Sequence, residues 1–157
     1  MSRRPPQDLY DETLRLVTAI AQPDKLDEEP DEAEAAAAFL ELRALFEQRE
    51  SDDRPDPFLT ETLADFTEDN WESIRLYRLA LEQCSLAREE LTYTKRLGLA
   101  QRLNAVGREA EALEQLALAR QDAFKAGEKD YMAEMDELAS EMRSNNSFKP
   151  TPHSGAT

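Results

Sequence analysis

The sequence predicts an all-α chain of antiparallel helical hairpins, about seven helices in all. Three observations predict it. The 157 residues include only two valines and two isoleucines, while Leu, Ala, Glu, Arg and Gln dominate. β-branched side chains favour strands, and unbranched ones keep most of their rotamer freedom in a helix. All eight prolines lie outside residues 58–149, so nothing breaks a helix there. Within that stretch small and large residues recur at an offset of 39. A fixed period of roughly 20–50 residues marks stacked supersecondary units, none of which buries its apolar face alone.

In chain order, a first helix is expected over residues 7–21, ending before Pro23. "PDKLDEEPDE" then reads as an acidic linker. A second helix, "DEAEAAAAFLELRALFEQRE", opens on acidic residues that complement its dipole. "SDDRPDP" interrupts the chain, and Asp56-Pro57 can cap and open a third helix, "PFLTETLADF". From there the repeat begins. Laying residues 69–105 over 108–144 puts Ser73 on Ala112, Ile74 on Leu113, Tyr77 on Leu116 and Ala80 on Ala119. Cys84 then falls on Ala123, Ala87 on Ala126, Leu99 on Leu138, Ala100 on Ala139 and Leu103 on Met142.

The same alternation predicts the packing. Ala100, Ala112 and Ala119 are expected where two helices approach closely, with Leu99, Leu103 and Leu116 filling the space between. Gly107 is expected where a helix stops and the chain turns, because glycine adopts the left-handed conformation cheaply. Trp71 and Tyr77 share a helix face with Ile74, either as aromatic core or exposed in a groove. Cys84 reads as a small core residue.

The pattern Leu99-Ala100-x-x-Leu103-x-x-x-Gly107-x-x-x-x-Ala112-x-x-x-Leu116-x-x-Ala119 resembles the tetratricopeptide repeat. The offset of 39 and the junction "LAREELTYTKRLGLAQRLNAVGR" are similar to its long-helix variant. The resemblance covers roughly residues 57–144 and is closest over 69–144; the third helix lacks the Leu-Ala pair in register, and "YMAEMDELASEM" would be a capping helix. It implies a right-handed superhelix whose first helix in each hairpin lines a concave, peptide-binding groove. The chain thus divides into N-terminal helices with an acidic linker (1–53), repeats with a capping helix (54–144) and a disordered tail (145–157). "NNSFKPTPHSGAT" in that tail resembles the ends of proteins encoded on bacterial integron cassettes, which implies a remnant of the recombination site.

Charge and residue counts then limit function. The net charge of −15 is uneven: −9 over residues 1–56, −5 over 57–92 and −1 over 93–157. Such a chain is not expected to bind nucleic acid or an anionic membrane, since phosphate neutralisation by basic side chains supplies most of that affinity. No apolar run is long enough to span a bilayer, no signal h-region follows "MSRR", and one cysteine forms no internal disulfide, so a cytoplasmic protein is expected. The only histidine, His153, lies in the tail; no His- or Cys-based metal site, Glu-x-x-His pair or glycine-rich phosphate loop is present, and Gly98 alone carries no such meaning. No catalytic residues, metal or cofactor are expected.

One segment departs from the acidic background. "LTYTKRLGLAQRLNAVGR", residues 91–108, holds Lys95, Arg96, Arg102 and Arg108 and no carboxylate. The resemblance places Thr94, Leu97, Gln101 and Asn104 toward the groove, flanked by Lys95, Arg96 and Arg102. Those cations either grip carboxylates of a bound protein or peptide segment, or neutralise acids of the fold itself, such as the second helix or Glu89 and Glu90. The expected function is a non-enzymatic interaction module. The alternative is an acidic, immunity- or antitoxin-like protein that covers a basic partner with its N-terminal half. A homodimer through the Met-rich final helix is a third expectation.

Overall fold

A computed structural model describes residues 7–25, 27–86 and 91–147. Among the described residues the chain forms seven α-helices and no strand: α1 (Gln7–Ala21), α2 (Glu32–Ser51), α3 (Pro57–Phe66), α4 (Asn70–Leu86), α5 (Tyr93–Ala105), α6 (Glu109–Ala126) and α7 (Lys129–Ser147). Each packs chiefly against its neighbours in the chain. α4 and α6 begin 39 residues apart, matching the sequence offset.

Local chemistry explains where the helices start and stop. The Asp31 carboxylate accepts the Glu34 N–H at 3.0 Å and opens α2. Asp56 accepts the Leu59 N–H at 3.0 Å, and Pro57, whose missing N–H costs nothing in a first turn, opens α3. α5 ends with Gly107 at φ 84°. There the Arg108 N–H donates to the Leu103 carbonyl at 2.9 Å and the Gly107 N–H to Asn104 at 3.0 Å, the Schellman pairing. Gly127, at φ 77°, repeats it at the end of α6, where the Glu128 N–H reaches Ala123 at 2.9 Å. Asp53 takes the same left-handed role after α2, at φ 54°.

The linker after α1 is closed rather than open. Pro23–Lys25 forms one 3-10 turn. Gln22 clasps the two ends: its Nε2 donates to the Asp31 carbonyl and its Oε1 accepts the Asp31 N–H, both at 2.8 Å. The clasp holds Gln22 in a left-handed conformation, φ 45°, that its side chain disfavours.

The core is a single cluster running from Leu9 to Met142. Ala80, Ala100, Ala112 and Ala119 are fully buried, with Leu99, Leu103 and Leu116 between them. α1 and α2 join this core through Leu9, Leu16, Ala38 and Leu42. Their seam with α3 and α4 is reinforced by Tyr10 against Phe58, ring centres 5.3 Å apart, and by a polar chain in which Gln83 donates to Glu50 at 2.9 Å and accepts from Thr60 at 2.7 Å.

The Met-rich face of α7 is covered within the chain: Met135 and Met142 are buried, and Tyr131 stacks against Tyr93 of α5 at 5.1 Å. Tyr131, Met132 and Leu138 on the same helix remain half-buried. α7 also runs through residues 145–147, which the sequence assigned to the tail; 148–157, with the cassette-like segment and His153, lie outside the described residues.

Candidate functional site

Helix α5 carries every residue singled out for partner binding, and its cations are spent inside the fold. Lys95 is 1% exposed, with Nζ 2.7 Å from Glu61 Oε2 of α3 and donating also to the Leu91 carbonyl at 2.9 Å. A buried ammonium must be paired, because desolvation without a counter-charge costs several kcal/mol per ion. Arg96 turns the other way, toward α6: its Nε lies 3.0 Å from Asp122 Oδ2, and Nη1 donates to Gln115 Oε1 at 3.0 Å. Thr92 donates to the same Asp122 carboxylate at 2.7 Å.

Arg102 caps α3 from outside. It donates to the Asn70 side chain at 2.9 Å and to the carbonyls of Asp65 at 3.3 Å and Ala64 at 3.5 Å. Those carbonyls lie in the last turn of α3, where Ala64 also accepts the Thr67 N–H and the Ser73 hydroxyl, so a guanidinium there meets the negative end of the helix dipole. Of the two roles expected for these cations, the contacts fit neutralisation within the fold: Lys95 is buried, and Arg96 and Arg102, each half-buried, contact α6 and the end of α3. Their partners are Glu61, Asp122 and Asn70 rather than the second helix; Glu89 and Glu90 lie outside the described residues.

Between α3 and α5 stands Tyr77 of α4. Its ring lies over Gly98, where an added Cβ would come within 2.6 Å of Cε1 and Oη. Its hydroxyl donates to Asp65 Oδ1 in a short hydrogen bond. Gly98, given no role from sequence, is thus the seat of an aromatic ring. A glycine inside a helix costs about 1 kcal/mol relative to alanine, and that cost was the available signal that something packs there.

Asp65 is open to solvent at its edge, but the bulk of α3, α4 and α5 withholds much of its water. That burial pushes its carboxyl up to about 6; the Tyr77 hydroxyl opposes the rise and the nearby Glu61 adds to it. Tyr77 itself is pushed well above the ordinary phenol range, first by burial and then by the Asp65 charge. The two groups satisfy each other through their hydrogen bond.

With the charges turned inward, the outer side of α5 presents Gln101, exposed, and Thr94, Leu97 and Asn104, each half-buried. This strip is neutral. Trp71 and Tyr77 part company: Tyr77 is core, whereas Trp71 is 54% exposed with the Arg108 guanidinium 5.7 Å from its ring centre. Cys84 is buried as a small core side chain.

A second concavity, of about 760 Å³, opens between α2 and the α3–α4 turn. Its floor is apolar, made by Ile20, Phe39 and Phe66 with Ala35 and Ala36. Its rim carries Glu32, Glu68, Asp69 and Glu72 against a single cation, Arg43. Sequence periodicity gave no hint of it, because it is built from the ends of four helices. Among the described residues no group of three or more His, Cys, Asp or Glu side chains could hold a metal ion, and no helix is long and apolar enough to cross a membrane. Comparison of the chain with protein-family models, with curated proteins and with solved structures finds no match.

Proposed function

We propose that this chain is a non-enzymatic protein–protein interaction module, a small tetratricopeptide-like scaffold that holds a protein segment against helix α5. The supporting observation is the division of labour within α5. Its cations fasten it to α3 and α6, while Thr94, Leu97, Gln101 and Asn104 remain on the outer side of a rigidly held helix. A helix already fixed in place adds no backbone ordering cost on binding. The neutral character of the strip favours a polar or weakly apolar segment over a strongly acidic one. The right-handed superhelical stacking of the family belongs to this reading, and the paired starts of α4 and α6 support it.

Photo-cross-linking tests the reading. A benzoylphenylalanine replacing Gln101 in the full chain is expected to give one discrete adduct in host cells. The same probe replacing Glu114, exposed on α6, is expected to give none. Identical adduct patterns at the two positions, or none at either, refute it.

A second reading, an acidic neutraliser of a basic partner, is favoured by one observation: the apolar concavity beside α2 is rimmed by four carboxylates. Glu32→Gln with Glu68→Gln in the full chain weakens partner binding under this reading and spares it under the first.

A further inference from the structure

We infer that the concavity between α2 and the α3–α4 turn docks a basic amphipathic helix, with apolar side chains on the floor and Lys or Arg at the rim. The inference rests on the second reading above, not on the α5 strip, and each stands or falls separately.

The volume, about 760 Å³, lies within the range of roughly 300–1,000 Å³ typical of ligand clefts, and it accommodates several side chains. Ala35 and Ala36 of α2 add little bulk to its lining, and Phe39 and Phe66 stand half-buried in it. Apolar rings left half-wet at the base of a groove gain from being covered.

The rim selects the occupant. Glu72 is paired with Arg75 at 2.7 Å, and Asp69 accepts the Glu72 N–H at 2.8 Å as the first turn of α4 forms. Arg43 lies over the Phe39 ring, 5.7 Å from its centre, and its charge also bears on Glu72, so Glu72 is already answered by cations within the fold. Among the described residues, Glu32 and Glu68, one from α2 and one from the α3–α4 turn, have no ion-pair partner. A segment with cations flanking its apolar side chains meets both carboxylates. An acidic segment is repelled, and an uncharged apolar one leaves the rim unused. Electrostatic complementarity of this kind speeds association and selects among partners more than it adds raw affinity. An amphipathic helix in an apolar groove is a recurring recognition mode, anchored at i, i+3, i+4 and i+7.

The test uses the full chain and a fluorescent peptide of two Leu-Lys-Lys-Leu-Leu-Lys-Leu heptads, with a Leu-Glu-Glu-Leu-Leu-Glu-Leu peptide as control. Ala36→Trp fills the groove without altering charge. Glu32→Gln with Glu68→Gln discharges the rim. Glu134→Gln with Glu141→Gln removes the same charge from exposed positions on α7. By fluorescence anisotropy, the first two changes are each expected to weaken the lysine peptide at least tenfold. The α7 pair changes it less than twofold, and the glutamate peptide binds no variant. Circular dichroism confirms that each variant is folded. If the α7 pair weakens binding as much as the rim pair, or Ala36→Trp leaves it unchanged, the peptide senses net charge alone and the inference fails. It fails also if sedimentation shows that the wild type is a dimer which Ala36→Trp dissociates, since the occupant is then a second copy of this chain. The Gln101 cross-link is indifferent to all of these results.

Discussion

Gly98→Ala sets two well-calibrated effects against each other. In an exposed helix the change is stabilising by about 1 kcal/mol, because alanine loses less backbone freedom on folding. At this position the new methyl would sit 2.6 Å from Cε1 and Oη of Tyr77, about 1 Å inside ordinary contact for such atoms. The ring has little room to yield: Tyr77 is buried and its hydroxyl is held by Asp65. Over-packing of this kind costs roughly 1–3 kcal/mol, and displacing the ring far enough to lose a hydrogen bond to a charged group adds about 1.5 kcal/mol. The net expectation is destabilisation by about 1.5–3.5 kcal/mol. For a chain of this length, each kcal/mol lowers the melting temperature by about 2–4 °C. Thermal and urea unfolding followed by circular dichroism read the effect directly. In a Tyr77→Leu background the ring is gone, and the same Gly98→Ala change should become stabilising by about 1 kcal/mol. A rise in melting temperature for the single Gly98→Ala variant would refute the seating of the ring on α5.

Three further outcomes follow from the same contacts. Lys95→Met strands Glu61 without its cation and is expected to cost about 3 kcal/mol in urea unfolding; adding Glu61→Leu should restore stability to within about 1 kcal/mol of wild type, and a double variant no better than the single one contradicts the pairing. Asp56→Ala removes the N-cap of α3 and should cost about 1 kcal/mol, whereas Asp56→Asn, which still accepts the Leu59 N–H, should cost a few tenths at most. The Asp65 carboxyl titrates near 6 in the fold against 3.8 for an unperturbed group, so the folded state holds this proton more tightly. Its stabilising contribution is complete below pH 3.8 and is lost as pH rises to about 6. Because Asp65 is partly solvated, the swing is held to about 1 kcal/mol. Asp65→Asn should gain that amount on the wild type between pH 4 and 6.5, and a difference independent of pH would contradict the raised carboxyl.

Much of the fold was legible because it was written in local chemistry. The prolines and the Asp56-Pro57 cap mark the ends of α1, α2 and the start of α3. Most of the alanines and leucines at the 39-residue offset are core, although Ala126 is exposed and Ala87 lies outside the described residues. Gly107 turns the chain as expected. What could not be read is what depends on tertiary approach. Lys95, Arg96 and Arg102 form a basic run in sequence, but consecutive residues of a helix point about 100° apart, so the run is dispersed toward two different neighbours. The roles of Gly98 and Gln22 require knowing which side chain arrives from elsewhere in the chain: Tyr77 in one case, the Asp31 backbone in the other. The acid-rimmed concavity was hidden for a similar reason, since Ile20, Glu32, Phe66 and Glu72 have no periodic relation.

Packing chiefly between chain neighbours has a consequence for how the molecule assembles and opens. Low sequence separation between partners means short loops to close, so folding should be fast and able to start at any hairpin. Opening should be graded rather than uniform. α7 rests on α6 and on the Tyr93–Tyr131 contact, and no helix among the described residues lies beyond it. Amide protons in α7 should therefore exchange with solvent well before those of α4 and α5, which are flanked on both sides.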